Sequence, residues 1–70
     1  MEIRVVDTSN ARTEYRGDGS RVAILDYEGN LTLAFRYRSG ELQVSHTCPS
    51  RTYKTEKGAL RAVRRWLESE

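Results

Sequence analysis

From Leu31 to Arg38 the chain alternates. Leu31, Leu33, Phe35 and Tyr37 take one side, and Thr32, Ala34, Arg36 and Arg38 take the other. A period of two is that of a strand with one buried face. The same alternation, less clean, predicts strands over 2–7, 21–27 and 41–47. Glu28-Gly29-Asn30 supplies one turn, and Ser39-Gly40 supplies a tight two-residue hairpin turn. That turn puts Leu42 and Val44 on the apolar face, and Gln43, Ser45 and Thr47 on the polar one. Between the first two strands, Thr8–Ser20 is polar and rich in turn formers, and it reads as a long loop. Pro49 has no amide hydrogen for a ladder and ends the last strand, leaving 51–54 as a short extension or a loop.

After Thr55 the period changes to 3.6. On a helical wheel Ala59, Leu60, Ala62, Val63, Trp66 and Leu67 fall on one arc, and Lys57, Arg61, Arg64, Arg65 and Glu68 on the opposite one. Thr55 is a good N-cap and Glu56 suits the first turn, so the helix is expected over 56–68. Its apolar arc needs a surface to cover, and the inner face of the sheet is the apolar surface the pattern provides. The expected fold class is therefore α+β: a two-layer antiparallel meander of three to four strands packed on one C-terminal amphipathic helix. Residues 1–70 form a single domain, with Trp66 as its largest core group.

Seventy residues limit how much core can form. No secretory leader is apparent, and no apolar run approaches the roughly 18 residues of a membrane span. The one cysteine, Cys48, cannot make an internal disulfide. These features lead to the expectation of a cytoplasmic protein with no membrane partner, for which the Asn30-Leu31-Thr32 sequon carries no meaning. The net charge is +2, and ten of the twelve basic residues are arginine. Residues 1–35 hold four basic and six acidic side chains, against eight and four in 36–70, so the C-terminal half is the expected anion-facing half.

Chemistry for catalysis is sparse. His46 and Cys48 stand two apart, but a zinc site needs three or four ligands, and the chain has no other His or Cys. A nucleophilic Cys48 would need a base that is itself held by a third group. Asp26 and Glu28 share a strand face yet flank a turn, which suits a solubilised strand end better than acid–base work. Gly17-Asp18-Gly19 lacks the lysine and the helix of a phosphate loop. Arg16-Gly17-Asp18 spells an adhesion tripeptide by a short match. A non-enzymatic protein without cofactor or metal is expected.

Two basic surfaces remain. The outer helix stripe of Lys57, Arg61, Arg64 and Arg65 offers general attraction for an anion. The outer sheet face offers Arg36 and Arg38 beside Gln43, side chains able to make bidentate contacts with bases in a major groove. The segment Tyr53-Lys54-Thr55-Glu56-Lys57-Gly58-Ala59, an aromatic residue, a Thr cap and a packing Ala at the entry to the last helix, resembles the arm-type DNA-binding domain of phage and transposon tyrosine recombinases. The resemblance spans about residues 21–67 and implies a three-stranded sheet entering the major groove with one helix behind it. By that likeness Arg36, Arg38 and Gln43 would face bases or phosphates, and Tyr53, Thr55 and Ala59 would be structural. This chain differs in carrying an extra strand and loop in front and in having a less basic sheet.

The expected function is thus a small binding module, phage or mobile-element encoded, that contacts nucleic acid through the outer sheet face. The alternative from another class is a phage-encoded inhibitor, comparable in size and make-up to anti-CRISPR proteins, that binds a host defence protein or nucleoprotein complex in the host cytoplasm. A homodimer paired through the open edge of the first strand is a third option.

Overall fold

A computed structural model of the chain describes residues 2–7, 12–45 and 51–69. Its strands are β1 (Arg4–Asp7), β2 (Arg12–Arg16), β3 (Arg21–Asp26), β4 (Asn30–Arg36), β5 (Leu42–Val44) and β6 (Arg51–Thr52), and its helix is α1 (Glu56–Glu68). The first five strands lie in the order β1-β2-β3-β4-β5, each antiparallel to its neighbours. β5 pairs with the end of β4 at Ala34–Arg36, while β6 pairs with its start at Asn30 and Leu31. The molecule is α+β, a sheet covered on one side by the C-terminal helix.

Helix α1 occupies the span that its periodicity predicts. The Thr55 hydroxyl accepts the Gly58 amide at 3.2 Å, which satisfies one of the orphan donors of the first turn. Ala59, Val63, Trp66 and Leu67 are buried against the sheet, where Tyr15, Ala23 and Leu31 complete the core. Leu60, at the margin of the apolar arc, stays 38% exposed. The Trp66 indole donates to the Val22 carbonyl at 3.0 Å, so the largest core side chain also has its polar atom satisfied. Phe35 meets the indole edge-on at 5.3 Å between centroids. The Arg21 guanidinium lies 4.2 Å from the indole centroid and donates to the Trp66 carbonyl at 3.1 Å. That one cation binds the ring and the negative end of the helix together.

Two expectations are corrected, and one left open is resolved. The segment expected as a long loop, Thr8–Ser20, contains β2, whose Tyr15 enters the core and whose Glu14 is also buried. Arg12-Thr13-Glu14-Tyr15-Arg16 does alternate, but with charged groups on one side, which made it look like a loop. Of the two alternatives for 51–54, the short extension holds at Arg51–Thr52, seated on β4 by a 2.6 Å bond from the Thr52 hydroxyl to the Asn30 side-chain oxygen.

The second correction concerns register. The β4–β5 hairpin has a three-residue loop, Arg38-Ser39-Gly40. The Tyr37 amide reaches the Glu41 carbonyl at 3.0 Å, the Gly40 amide reaches the Tyr37 carbonyl at 2.9 Å, and Gly40 has φ of +89°. A two-residue turn at Ser39-Gly40 would set Val44 beside Phe35. The longer loop pairs Phe35 with Gln43 and Arg36 with Leu42. A slip of one residue exchanges the faces of every side chain in the strand. Leu42 and Val44 therefore lie on the outer face, 41% and 49% exposed, and Gln43 lies on the helix side, accepting from the Tyr37 hydroxyl at 2.6 Å. The strand expected over 41–47 covers Leu42–Val44; His46, Thr47, Cys48 and Pro49 fall outside the described residues.

Candidate anion-binding face of the sheet

The ladder sets the chemistry of the outer face. Arg4 stands opposite Arg16, Arg16 opposite Val22, Val22 opposite Ala34, and Ala34 opposite Val44. This row crosses five strands and has small side chains at its centre. Val22 lies on the floor of a cleft, with Arg4 and Arg16 on one side. Arg36, two residues along β4, and Arg38 in the following loop stand on the other. The cleft, of about 460 Å³, is closed at one end by the loop Asp18-Gly19-Ser20 and flanked by Tyr37.

Glu14 lies beneath this cleft. Its side chain is only 3% exposed, and its two carboxylate oxygens accept one arginine each, Arg16 through Nε and Arg36 through Nη2. Burial pushes the Glu14 carboxyl upward, but the hydrogen bonds and charges of Arg16 and Arg36 outweigh it and hold its pKa below the ordinary value. The carboxylate thus remains charged at neutral pH and fixes both arginines. Further contacts tie Arg4 to the Gly17 carbonyl at 2.8 Å and Arg36 to the Gly40 carbonyl at 3.2 Å. A guanidinium carries five donors, so one or two internal bonds still leave N–H groups for a ligand. The side chains of Arg16 and Arg36 keep 39% and 29% of their surface in solvent. Four guanidiniums against the carboxylates of Asp18 and Glu14 leave a formal +2 at this one cleft, as much as the whole chain carries.

Of the residues singled out from sequence, Arg36 and Arg38 belong to this cleft. Gln43 does not, since the hairpin register turns it to the helix side. Lys57, Arg61, Arg64 and Arg65 are exposed on α1, in the layer on the opposite side of the sheet, and Arg64 pairs with Glu68 at 3.4 Å. The two basic surfaces are separate. Arg4, Arg16 and Glu14 were missed because they lie in the half of the chain with more acidic than basic side chains. The sequence signal for them is the spacing of Arg12, Glu14 and Arg16 at i, i+2 and i+4, a charged strand face with a carboxylate between cations.

The carboxylate pair Asp26 and Glu28 is part of a turn. Asp26 accepts from the Asn30 amide at 2.9 Å, the Asn30 side-chain amide at 3.0 Å and the Glu28 amide at 2.9 Å. The bonds from Asn30 lower its pKa, with a smaller share from Glu28. A carboxylate whose oxygens organise the β3–β4 turn is poorly suited to proton transfer. Among the described residues no group of three or more His, Cys, Asp or Glu side chains could hold a metal ion, and no helix is long and apolar enough to cross a membrane. No family model, curated protein or solved structure matches the chain.

Proposed function

We propose that this protein is a non-enzymatic module that holds the phosphate backbone of a nucleic acid against the outer face of its sheet. The observation that carries this reading is the convergence of Arg4, Arg16, Arg36 and Arg38 on one cleft above the buried Glu14. Planar guanidiniums with fixed stems match phosphate oxygens and lose little freedom on binding. The resemblance to arm-type domains implies the same face. Gln43 no longer contributes, so the reading is one of backbone contact more than base recognition.

A titration of a short DNA duplex and a single-stranded RNA across a salt series tests it. Three to four phosphate contacts predict a slope of log K against log salt of about −2.7 to −3.6 on the duplex and about −2 to −3 on a single strand. Arg38→Ala should reduce that slope by about 1. Salt-independent binding, or none, rejects the proposal.

Leu42 and Val44 favour a second reading. Both are exposed apolar groups on the same face as Arg36, a mixture common at protein interfaces. A phage-encoded inhibitor of a host defence nucleoprotein would use it. If nucleic acid binds without salt dependence, while Leu42→Asp abolishes capture of a host nucleoprotein complex, this second reading replaces the first.

A further inference from the structure

The far side of the molecule presents a different kind of surface. β1 is the terminal strand of the sheet, and among the described residues nothing pairs with its outer edge. An unpaired edge offers a row of backbone donors and acceptors to another strand. Val5 pairs with Tyr15 and so lies on the helix side of the sheet, yet 61% of it is exposed. Between β1 and α1 runs a groove of about 500 Å³, with Ile3, Val5, Tyr15 and Val63 along it and Leu60 on its wall. Lys57, Arg61 and Arg64 line the helical rim together with Glu56, and Glu68 outside the groove pairs with Arg64. Arg4 projects from the same strand on the other face.

We propose that this edge takes an extended segment of a partner protein as an added strand, with apolar side chains in the groove and acidic ones around it. Backbone pairing along β1 supplies the register, and alternate apolar side chains fill the space beneath Leu60. Carboxylates on the segment meet Arg4 on the outer face and Lys57, Arg61 and Arg64 at the rim. Charge decides against a second copy of this chain. Antiparallel pairing of β1 with its own copy puts the two helices side by side on the same face. Lys57, Arg61 and Arg64 of both copies would then face each other across the seam, a like-charge contact that an acidic partner turns into attraction.

The test uses two acetylated, amidated octapeptides with Val at positions 3 and 5, on the groove face, and either Glu or Lys at the other six, so that charges flank the apolar pair on the helix side as well as lying on the outer face, titrated into the isotope-labelled protein. The Val/Glu peptide should bind at least ten-fold tighter than the Val/Lys peptide and shift the amides of residues 3–7 and 60–64. Arg61→Glu combined with Arg64→Glu, two exposed helix positions, should reverse that preference. Val5→Thr, which keeps the shape and the strand preference but removes apolar surface, should weaken the Val/Glu peptide while leaving Tm unchanged. Equal binding of the two peptides, no binding, or shifts centred on Arg36 and Tyr37 would overturn the proposal. So would a concentration-dependent dimer of the protein alone in sedimentation.

Discussion

Glu14 is the residue on which the sheet face depends. A buried carboxylate held by two arginines is costly to break, because an unpaired partner is left near a low-dielectric surface. Glu14→Gln removes the charge but keeps the shape, and it should cost about 1–3 kcal/mol at pH 7 in urea denaturation. The pH dependence has a definite sign. The folded carboxyl titrates below its unfolded value, so its stabilisation is complete above the ordinary glutamate pKa of about 4.3 and is lost as pH falls through the lower folded value. The stability gap between the native chain and Glu14→Gln should therefore shrink between pH 5 and the acid end of the titration. Asp26, also lowered, is present in both proteins and cancels from the difference. A gap that stays constant on acidification would show that Glu14 contributes through packing alone.

At the scale of elements, the two hairpin loops of β4 decide what each face carries. Gly29 and Gly40 both have φ of +89°, a conformation that costs a residue with a Cβ. Their surroundings differ. A Cβ on Gly40 meets nothing within 4 Å, whereas one on Gly29 would come 2.3 Å from the Tyr53 carbonyl oxygen. That carbonyl belongs to the segment joining β6 to α1, and the Tyr53 amide is bonded to the Gly29 carbonyl at 2.9 Å. Gly40→Ala should cost about 1–2 kcal/mol from the backbone angle, about 4–16 °C in Tm for a domain of this size. Gly29→Ala should cost clearly more, since it must also move the strand that leads into the helix. Thermal melts of the two variants separate the angle from the contact, and equal losses would remove the contact as a cause. The expected position of Gln43 failed at this same scale. Ser39-Gly40 looks like a two-residue turn by composition, while the loop that forms starts one residue earlier and reverses the strand beyond it.

The whole molecule has one core and little of it. Tyr15, Ala23, Leu31, Val63, Trp66 and Leu67 form its buried cluster, and Leu31 and Val63 are the largest side chains with almost no exposure. Trp66 joins that cluster to β3 through its indole bond and to β4 through Phe35. Trp66→Ala should cost about 3–5 kcal/mol, a large share of the few kcal/mol a chain of this length retains. A melt with no loss of stability would refute its central place. The sheet separates two surfaces of different chemistry: the arginine cleft on the outer face, and the apolar edge groove between β1 and α1.

The helix was legible in full because amphipathic periodicity, a cap and a period change are local signals. Strand existence was legible for β1, β3, β4 and β5 for the same reason, and so was the α+β class, since one apolar arc and one apolar sheet face can only cover each other. Arg36 was correctly assigned to the outer face, because alternation along β4 is a property of that strand alone, whereas Arg38, expected on the same strand, lies in the loop that follows and lines the same cleft from there. What the tertiary structure decided is everything that depends on two strands at once. The register of β5 against β4 sent Gln43 to one face and Leu42 to the other. The pairing of β1 and β2 brought Arg4 and Arg16 beside Arg36, and it buried a carboxylate where the sequence offered only a polar run. A strand's period is written in its own residues, but its neighbour and its register are set by loop geometry and by the total burial of the sheet, and these exist only once the chain has folded.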